Sequence, residues 1–456
     1  MSQTNGKVVH DFTEGPITKS LLLFAAPLFL SSLLQIVYNM VDMLVVGRFC
    51  GSAGLSAVSV GGDISNTMTI IAMSFSNAGS VIIAQFIGAK QRDKVGRFIG
   101  TLFVFLFGAA VVIAIVGLAL TGQILGWMNT PAEAWNEALL YCRICMVGLV
   151  FTYGYNIVSA VLRGAGDSRH PFWFIAIASV MNIILDVLFV GGFHWGAGGA
   201  ALATVIGQTF SFLVSAVFLI RNKDNLGFEL EWKFFRIDRE MLKILLNLGI
   251  PMALKQSAVN ISKLVMNSFV NSFGVTVSAV SGVGHKLTQI ANLFANSTNT
   301  AGSTMVGQNI GAEKYHRVTK IVLSVFAITA VSSLALSALM ITCPEMVFGL
   351  FTSDEEVIRV GMEYVPVAIT GFISCISRSG SNALINGSAN YKVNYAVAIM
   401  DGIVMRIGFG LFFGLVLNWG YLGFWYGDAV AGFTPFVIGT IYYLSGSWKT
   451  RKYVVK

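Results

Sequence analysis

Apolar residues run along the chain in long blocks separated by short polar turns. Twelve blocks are long enough to cross a bilayer as helices, at 17–46, 54–84, 96–125, 136–162, 171–193, 197–220, 243–271, 277–308, 318–342, 360–386, 392–417 and 420–445. The pattern therefore predicts an all-α polytopic membrane protein.

Composition agrees with the pattern. Hydrophobic residues make up 55% of the 456 and charged residues 11%, roughly half the charged share of an ordinary soluble domain. The first block follows the polar start MSQTNGKVVHDFTEGPITK. It is too long for a signal-peptide core and has no small-residue cleavage site, so it is expected to stay as a spanning helix. Five cysteines at 50, 142, 145, 343 and 375 give no disulfide framework, and Cys142 and Cys145 sit on an apolar helix without other metal ligands in sequence.

A net charge of +8 would suggest nucleic acid were it spread evenly, but it is a topology signal instead. Connections after even-numbered blocks are basic (GAKQRDKVGR, RGAGDSRH, RNKDNLGFELEWKFFRIDREMLK, GAEKYHRVTK, NGSANYK), and those after odd-numbered blocks are nearly free of Lys and Arg. With the termini, the even side holds 22 of the 30 Lys and Arg. Both ends are thus expected in the cytoplasm of a bacterial or archaeal plasma membrane, with no nucleic-acid partner.

The blocks repeat. AGSVIIAQFIGA at 78–89 returns as AGSTMVGQNIGA at 301–312; Pro27 pairs with Pro251, Gly164-Ala165-Gly166-Asp167 with Gly387-Ser388-Ala389-Asn390, and Trp195-Gly196 with Trp419-Gly420. A period of roughly 223 residues covers six blocks, an even number, so both copies enter the membrane in the same sense. Two six-helix lobes are predicted, 1–220 and 243–456, joined by a cytoplasmic linker at 221–242. Such lobes leave a cleft on their pseudo-symmetry axis that rocking opens to either side. The repeated glycine-rich stretch reads as scaffold shared by both copies, and the prolines as matched kinks.

Where the copies differ, chemistry is expected. Asp42 (YNMVDMLVV) and Asp186 (MNIILDVLFV) lie in apolar surroundings, and their repeat partners are Met266 and Gly410. An ionisable group inside a spanning helix marks a functional site unless a partner explains it. Counting about 1.5 Å per residue from the outer turns puts Asp42, Asp186 and Thr204 at one level, roughly 10–12 Å deep. Asn182 precedes Asp186 by four residues and Asn39 precedes Asp42 by three, placing each amide on its acid's face. The oxygen cluster suits sodium or a proton equally, against the alternative of acids hydrogen-bonded to Asn and Tyr38 as interhelical glue; Asp42 and Asp186 would be metal ligands only with sodium. Asp63 is a weaker candidate near the outer mouth. The second lobe is cationic, with Lys255, Lys263, Lys286, Arg378 and Arg406 inside predicted helices against Asp401, Asp428 and Glu363. Lys255 and Arg406, the deepest, either line the cleft for an anionic or zwitterionic substrate group or pair internally with Asp401 and Asp428.

The chain has neither a phosphate-cradling GxxxxGK[ST] nor HExxH or GxSxG, so no enzyme chemistry, ATP use or prosthetic cofactor is expected. PLFLSSLLQIVYNMVD at 27–42, QFIGA with QNIGA, LRGAGDSRHP at 162–171, and NIILD followed by GAGGAALAT together resemble the multidrug and toxic compound extrusion (MATE) transporters, closest to the DinF-like branch. The resemblance covers nearly the whole chain. It implies twelve helices in two lobes, a cation site at Asp42, Asn182, Asp186 and Thr204, and Gln35 and Tyr38 near the substrate cleft; Asn39, Lys255 and Arg406 join the expected cleft from the residue reading above. The reading is an exporter of small organic molecules in exchange for sodium or protons by rocker-switch alternating access among membrane lipids, and a monomer suffices because the cleft lies within one chain. The alternatives are a lipid-linked oligosaccharide or lipid flippase of the same superfamily and an exporter of anionic metabolites, both favoured by the cationic second lobe.

Overall fold

The computed structural model describes residues 10–226 and 231–450; the expectations for the ends of the chain and for 227–230 within the linker lie outside them. The described residues contain helices and turns and no strand. In order these are α1 (Ile17–Gly88), α2 (Arg92–Trp127), α3 (Trp135–Gly164), α4 (Arg169–Asp186), α5 (Gly196–Arg221), the short α6 (Lys223–Leu226), α7 (Arg239–Asn271), α8 (Val275–Gly311), α9 (Tyr315–Thr342), the short α10 (Pro344–Gly349), α11 (Glu355–Gly387), α12 (Tyr391–Ile399), α13 (Arg406–Leu411), α14 (Tyr421–Ala431), α15 (Thr434–Leu444) and the single turn α16 (Ser447–Thr450).

Two spanning legs hide in α1. Gly51, with φ 67° and ψ −161°, breaks its 72 residues into two limbs, and the second copy makes the same break at Gly274, φ 108°, between α7 and α8. Both backbones lie where a side chain would clash, so glycine fills both places. Counting those limbs, α4 with its π turn Val187–Gly192, α12–α13 with the π turns Met400–Met405 and Phe412–Val416, and α14–α15 as one leg each gives twelve. Eight of the helices, some running on through their π turns, are long and apolar enough to span by that criterion alone. Legs α7 and α8 fall short because Lys255, Gln256, Asn260, Lys263, His285 and Gln289 interrupt them, and the last leg is split into two eleven-residue helices.

The chain folds as two compact units: Pro27–Leu246 in one, Asp11–Ala26 with Asn247 onward in the other. Two local causes move these boundaries from those expected. The described part of the linker is docked on α2: Arg97 Nη2 reaches Asp238 Oδ2 at 2.5 Å, Thr101 Oγ1 bonds Arg236 O at 3.3 Å and Asp238 N at 3.2 Å, and Phe235 packs on Phe103 at 5.7 Å. At the other end, residues 11–15 are strapped to α8 and α9. Phe12 N donates to Gln308 Oε1 (3.0 Å), Asn309 Nδ2 to Phe12 O (3.1 Å), Lys314 Nζ to Thr13 O (3.0 Å), and Arg317 Nη2 to Gly15 O (3.0 Å).

Those bonds explain part of the repeated motifs. In QNIGA, Gln308 and Asn309 hold backbone. The loop acids and amides cap the next helix: Asp167 Oδ1 accepts from Arg169 N (3.0 Å) and His170 N (3.2 Å), Asn390 Oδ1 from Lys392 N (3.2 Å) and Val393 N (3.5 Å). Asp and Asn are preferred caps because their oxygens satisfy amides that the first turn leaves open. In the second unit Phe269 stacks on Phe424 at 5.0 Å within a core that includes Met266, Tyr364 and Trp425.

Candidate cation site and its counterpart in the second repeat

Within the first unit, α1, α4 and α5 bring together the acids and amide picked out by depth. Asp42 is 5% exposed, Asn182 3% and Asp186 0%. Asp186 closes α4, and the π turn Val187–Gly192 begins at the next residue. Small residues set the spacing: a Cβ on Gly207 would stand 3.2 Å from Ala178 O and 3.5 Å from Asn182 Cβ, so α5 approaches α4 closely and Thr204, one turn earlier, meets Asn182. Their side chains lie 3.4 Å apart. With the amide turned to satisfy both neighbours, Asn182 Nδ2 donates to Asp186 Oδ2 at 3.3 Å, and Oδ1 accepts from Thr204 N at 3.2 Å.

Asp42 Oδ1 and Asp186 Oδ1 are buried and have no hydrogen-bond partner. A buried carboxylate oxygen left so is expensive, and each carboxylate lies in the other's field. The donor set of two carboxylates, an amide and a hydroxyl is hard oxygen throughout, which fits a monovalent cation or a proton. Among the described residues no three or more His, Cys, Asp or Glu are grouped so as to hold a metal ion. Tyr38, half-buried on the same limb, hydrogen-bonds Gln208 and faces both acids. Gln208 was missed from sequence, although it lies four residues beyond Thr204, on the same face of α5. Gln35 is half-buried, whereas Asn39 is exposed although Asp42 is buried: a three-residue step leaves it about 60° around the helix, outside the cluster. Asp63 is exposed.

The second unit carries different chemistry at the same places. Positions 224 residues on from Asp42, Asn182, Asp186 and Thr204 are Met266, Arg406, Gly410 and Asp428. The internal contacts match as well. Asn182 meets Thr204 at a separation of 22 residues, and Arg406 meets Asp428 at the same separation. Where Asp186 faces Asp42, a Cβ on Gly410 would overlap the Met266 sulfur.

Arg406 is 1% exposed. Its Nη2 lies 2.9 Å from Asp401 Oδ1, and its Nη1 bonds Asp428 Oδ1. Of the two readings weighed for Arg406, these contacts are those of internal pairing with Asp401 and Asp428. Asp401 lies five residues earlier in the π turn Met400–Met405, where i→i+5 bonding puts residues five apart on one side. The first copy has no such turn in α4. That one extra residue moves the repeat spacing from 223 at Gly164/Gly387 to 224 at Trp195/Trp419, a shift readable in the sequence. Lys255, half-buried, donates to the neutral Asn382 Oδ1 at 2.6 Å. Arg378 bonds Asn292 Oδ1 and Cys375 Sγ; Lys263 is a charge neighbour of Asp428, Lys286 is exposed, and Glu363 accepts from Tyr421 at 2.7 Å.

Comparison with known proteins matches this architecture. The MatE family model covers residues 27–188 and 251–415, one match in each copy. "Probable multidrug resistance protein YpnP" of Bacillus subtilis (strain 168) is 31% identical over 450 residues, covering 97% of this chain and 98% of its own; "Probable multidrug resistance protein YoeA" of the same organism is 30% identical over 362 residues, 78% of each. Crystal structures of MATE in the straight and bent conformations superpose with TM-scores of 0.89 and 0.88, at 22% and 21% identity, covering 99% and 96% of this chain and 100% and 98% of theirs. Two repeated six-helix copies, both matched by the family model, establish that this chain belongs to the MATE family and is a multi-pass membrane transporter, not an enzyme.

Proposed function

We propose that the chain is a secondary antiporter that exports small organic molecules from the cytoplasm across the plasma membrane, driven by sodium or protons entering at Asp42, Asn182, Asp186 and Thr204. The observation that carries this is the pair of buried carboxylate oxygens, Asp42 Oδ1 and Asp186 Oδ1, without hydrogen-bond partners. A cation relieves both at once; an empty site leaves two like charges facing each other in low dielectric. Loading and emptying the site thus change the packing energy of α1 against α4 and α5, which couples the ion to alternating access by a rocker-switch movement. Gln35 and Tyr38 belong to the substrate path on α1. The relatives are named for multidrug resistance, which supports drug-like substrates. Both termini lie in the cytoplasm, and one chain suffices.

A second reading, export of anionic metabolites or flipping of a lipid-linked substrate, is favoured by Lys255, Lys263 and Arg378. These cations remain half-buried in the second unit after Asp401 and Asp428 are taken up by Arg406.

Efflux of a fluorescent organic cation from proteoliposomes, driven by a sodium or a proton gradient, tests the first reading. Asp42→Asn and Asp186→Asn are each expected to lower gradient-driven efflux at least about tenfold with the fold retained. Undiminished efflux in both would falsify the cation site. An inert parent that moves anionic or lipid-linked substrates would select the second reading.

A further inference from the structure

The second unit holds a cavity outside the residues assigned to the proposed cation site. It has a volume of about 580 Å³ and lies between the first turns of α1 and α9, lined by Thr18, Lys19, His316, Arg317, Lys320, Ser324 and the backbone of residues 15–17. Its lining contains four basic residues and no acid. Glu14, next to the lining in sequence, leans to Lys314 at 3.6 Å. Lys19, His316 and Lys320 are exposed, while Arg317 spends Nη2 on the strap and keeps a buried Nε without an acceptor. The backbone amides of Ile17, Thr18 and Lys19 begin α1 after Pro16, so their N–H groups lack intrahelical acceptors and add the positive end of the helix dipole. Thr18 and Ser324 contribute hydroxyls, 3.0 Å apart.

Polarity changes abruptly one turn further on. Leu22, Leu23 and Leu323 are 48%, 51% and 60% exposed, on the same two helices and three or four residues from Lys19 and Lys320. Cations followed within a turn by bare leucines mark the boundary between headgroups and hydrocarbon. A ligand that satisfies both parts carries an anionic phosphate and an apolar tail.

We propose that this cavity binds the phosphate of an anionic phospholipid, with the acyl chains along Leu22, Leu23 and Leu323. The phosphate takes the Arg317 Nε and the first-turn amides, and Lys19, His316 and Lys320 supply the charge. A lipid seated there pins the root of α1 to α9 beside the strap of residues 11–15. The inference does not rest on the proposed antiport.

The test places the full-length protein in nanodiscs of phosphatidylcholine with about one-fifth phosphatidylglycerol, and native mass spectrometry counts the lipids retained on release. The parent is expected to retain phosphatidylglycerol at least fivefold over its share of the bilayer. Lys19→Ser with Lys320→Ser, and separately Ser324→Trp, which fills the cavity without removing charge, are both expected to abolish that enrichment. Arg48→Ser with Lys233→Ser, an equal loss of charge elsewhere, is expected to keep it. Enrichment that survives both pocket variants, or that the control loses equally, overturns the site. Competition by soluble glycerol 3-phosphate as strong as by the lipid would make the ligand a free phosphate ester and overturn the lipid assignment.

Discussion

An acid inside a membrane helix keeps its charge only in company, and the two units supply that company differently. Asp42 and Asp186 face each other with two open oxygens, whereas Asp401 and Asp428 close on one guanidinium. At the proposed cation site Thr204 Oγ1 lies 3.4 Å from the Asn182 amide, so Thr204→Val, which removes that hydroxyl and keeps the backbone N–H, should raise the cation concentration for half-maximal efflux about tenfold while leaving the maximum rate near that of the parent; a fall in rate at unchanged half-saturation would argue against that role. In the second unit, removing one partner of a buried pair leaves a charge uncompensated. Arg406→Met alone should destabilise by about 3–5 kcal/mol, and Arg406→Met with Asp401→Leu and Asp428→Leu should regain most of it. Thermal unfolding in detergent distinguishes the two; a triple variant no better than the single would mean that Arg406 acts outside the pair.

Among the helices, the connection into α7 is a docked segment. Asp238 caps α7 through Glu240 N (2.9 Å) and Met241 N (3.3 Å) and holds Arg97 of α2. Partial burial works against its charge, yet the Arg97 hydrogen bond and the two amides win, holding its carboxyl below the usual carboxylate range. The folded value being the lower one, its stabilisation is complete above about pH 4, the ordinary carboxylate pKa, and fades as pH falls through the folded value. Asp238→Ala should therefore cost roughly 1 kcal/mol at neutral pH and little in strong acid. Hydrogen exchange at the start of α7 reads this directly, and equal protection in parent and variant at pH 7 would exclude the cap. Much of this level was legible in sequence. The blocks and the level expected for Asp42, Asp186 and Thr204 follow from periodicity and counting, whereas the capping by Asp167 and Asn390 is seen only in the fold. The strap escaped, because bonds from Gln308 and Asn309 to Phe12 join residues nearly 300 positions apart, and no local pattern encodes a partner so distant.

For the whole molecule, the distribution of basic residues predicts that the even-numbered connections lie inside. Cys343 is exposed between α9 and α10, on an odd-numbered connection. In intact cells a membrane-impermeant maleimide should label Cys343, while a cysteine placed at the exposed Glu313 should react only after permeabilisation. The reverse pattern would invert the topology, and with it the direction of transport. The two-copy layout was visible as a sequence period, but the fate of Arg406 was not. Both acids that hold it were named beforehand as its possible partners, and the π turn sets Asp401 and Arg406 five residues apart on one side of the helix.

That extra residue has a consequence of its own. Duplicated segments ordinarily drift apart by substitution, each position keeping its bearing around the helix. An insertion into an unbroken α-helix would turn everything downstream by about 100° relative to everything upstream. Here the π turn Met400–Met405 takes up the extra residue, so Asp401 and Arg406 stand five residues apart on one side while Arg406 still meets Asp428 as Asn182 meets Thr204. The second half of the molecule thus carries its positive ion as part of its own covalent chain, supplied at the ribosome, beyond the reach of any gradient.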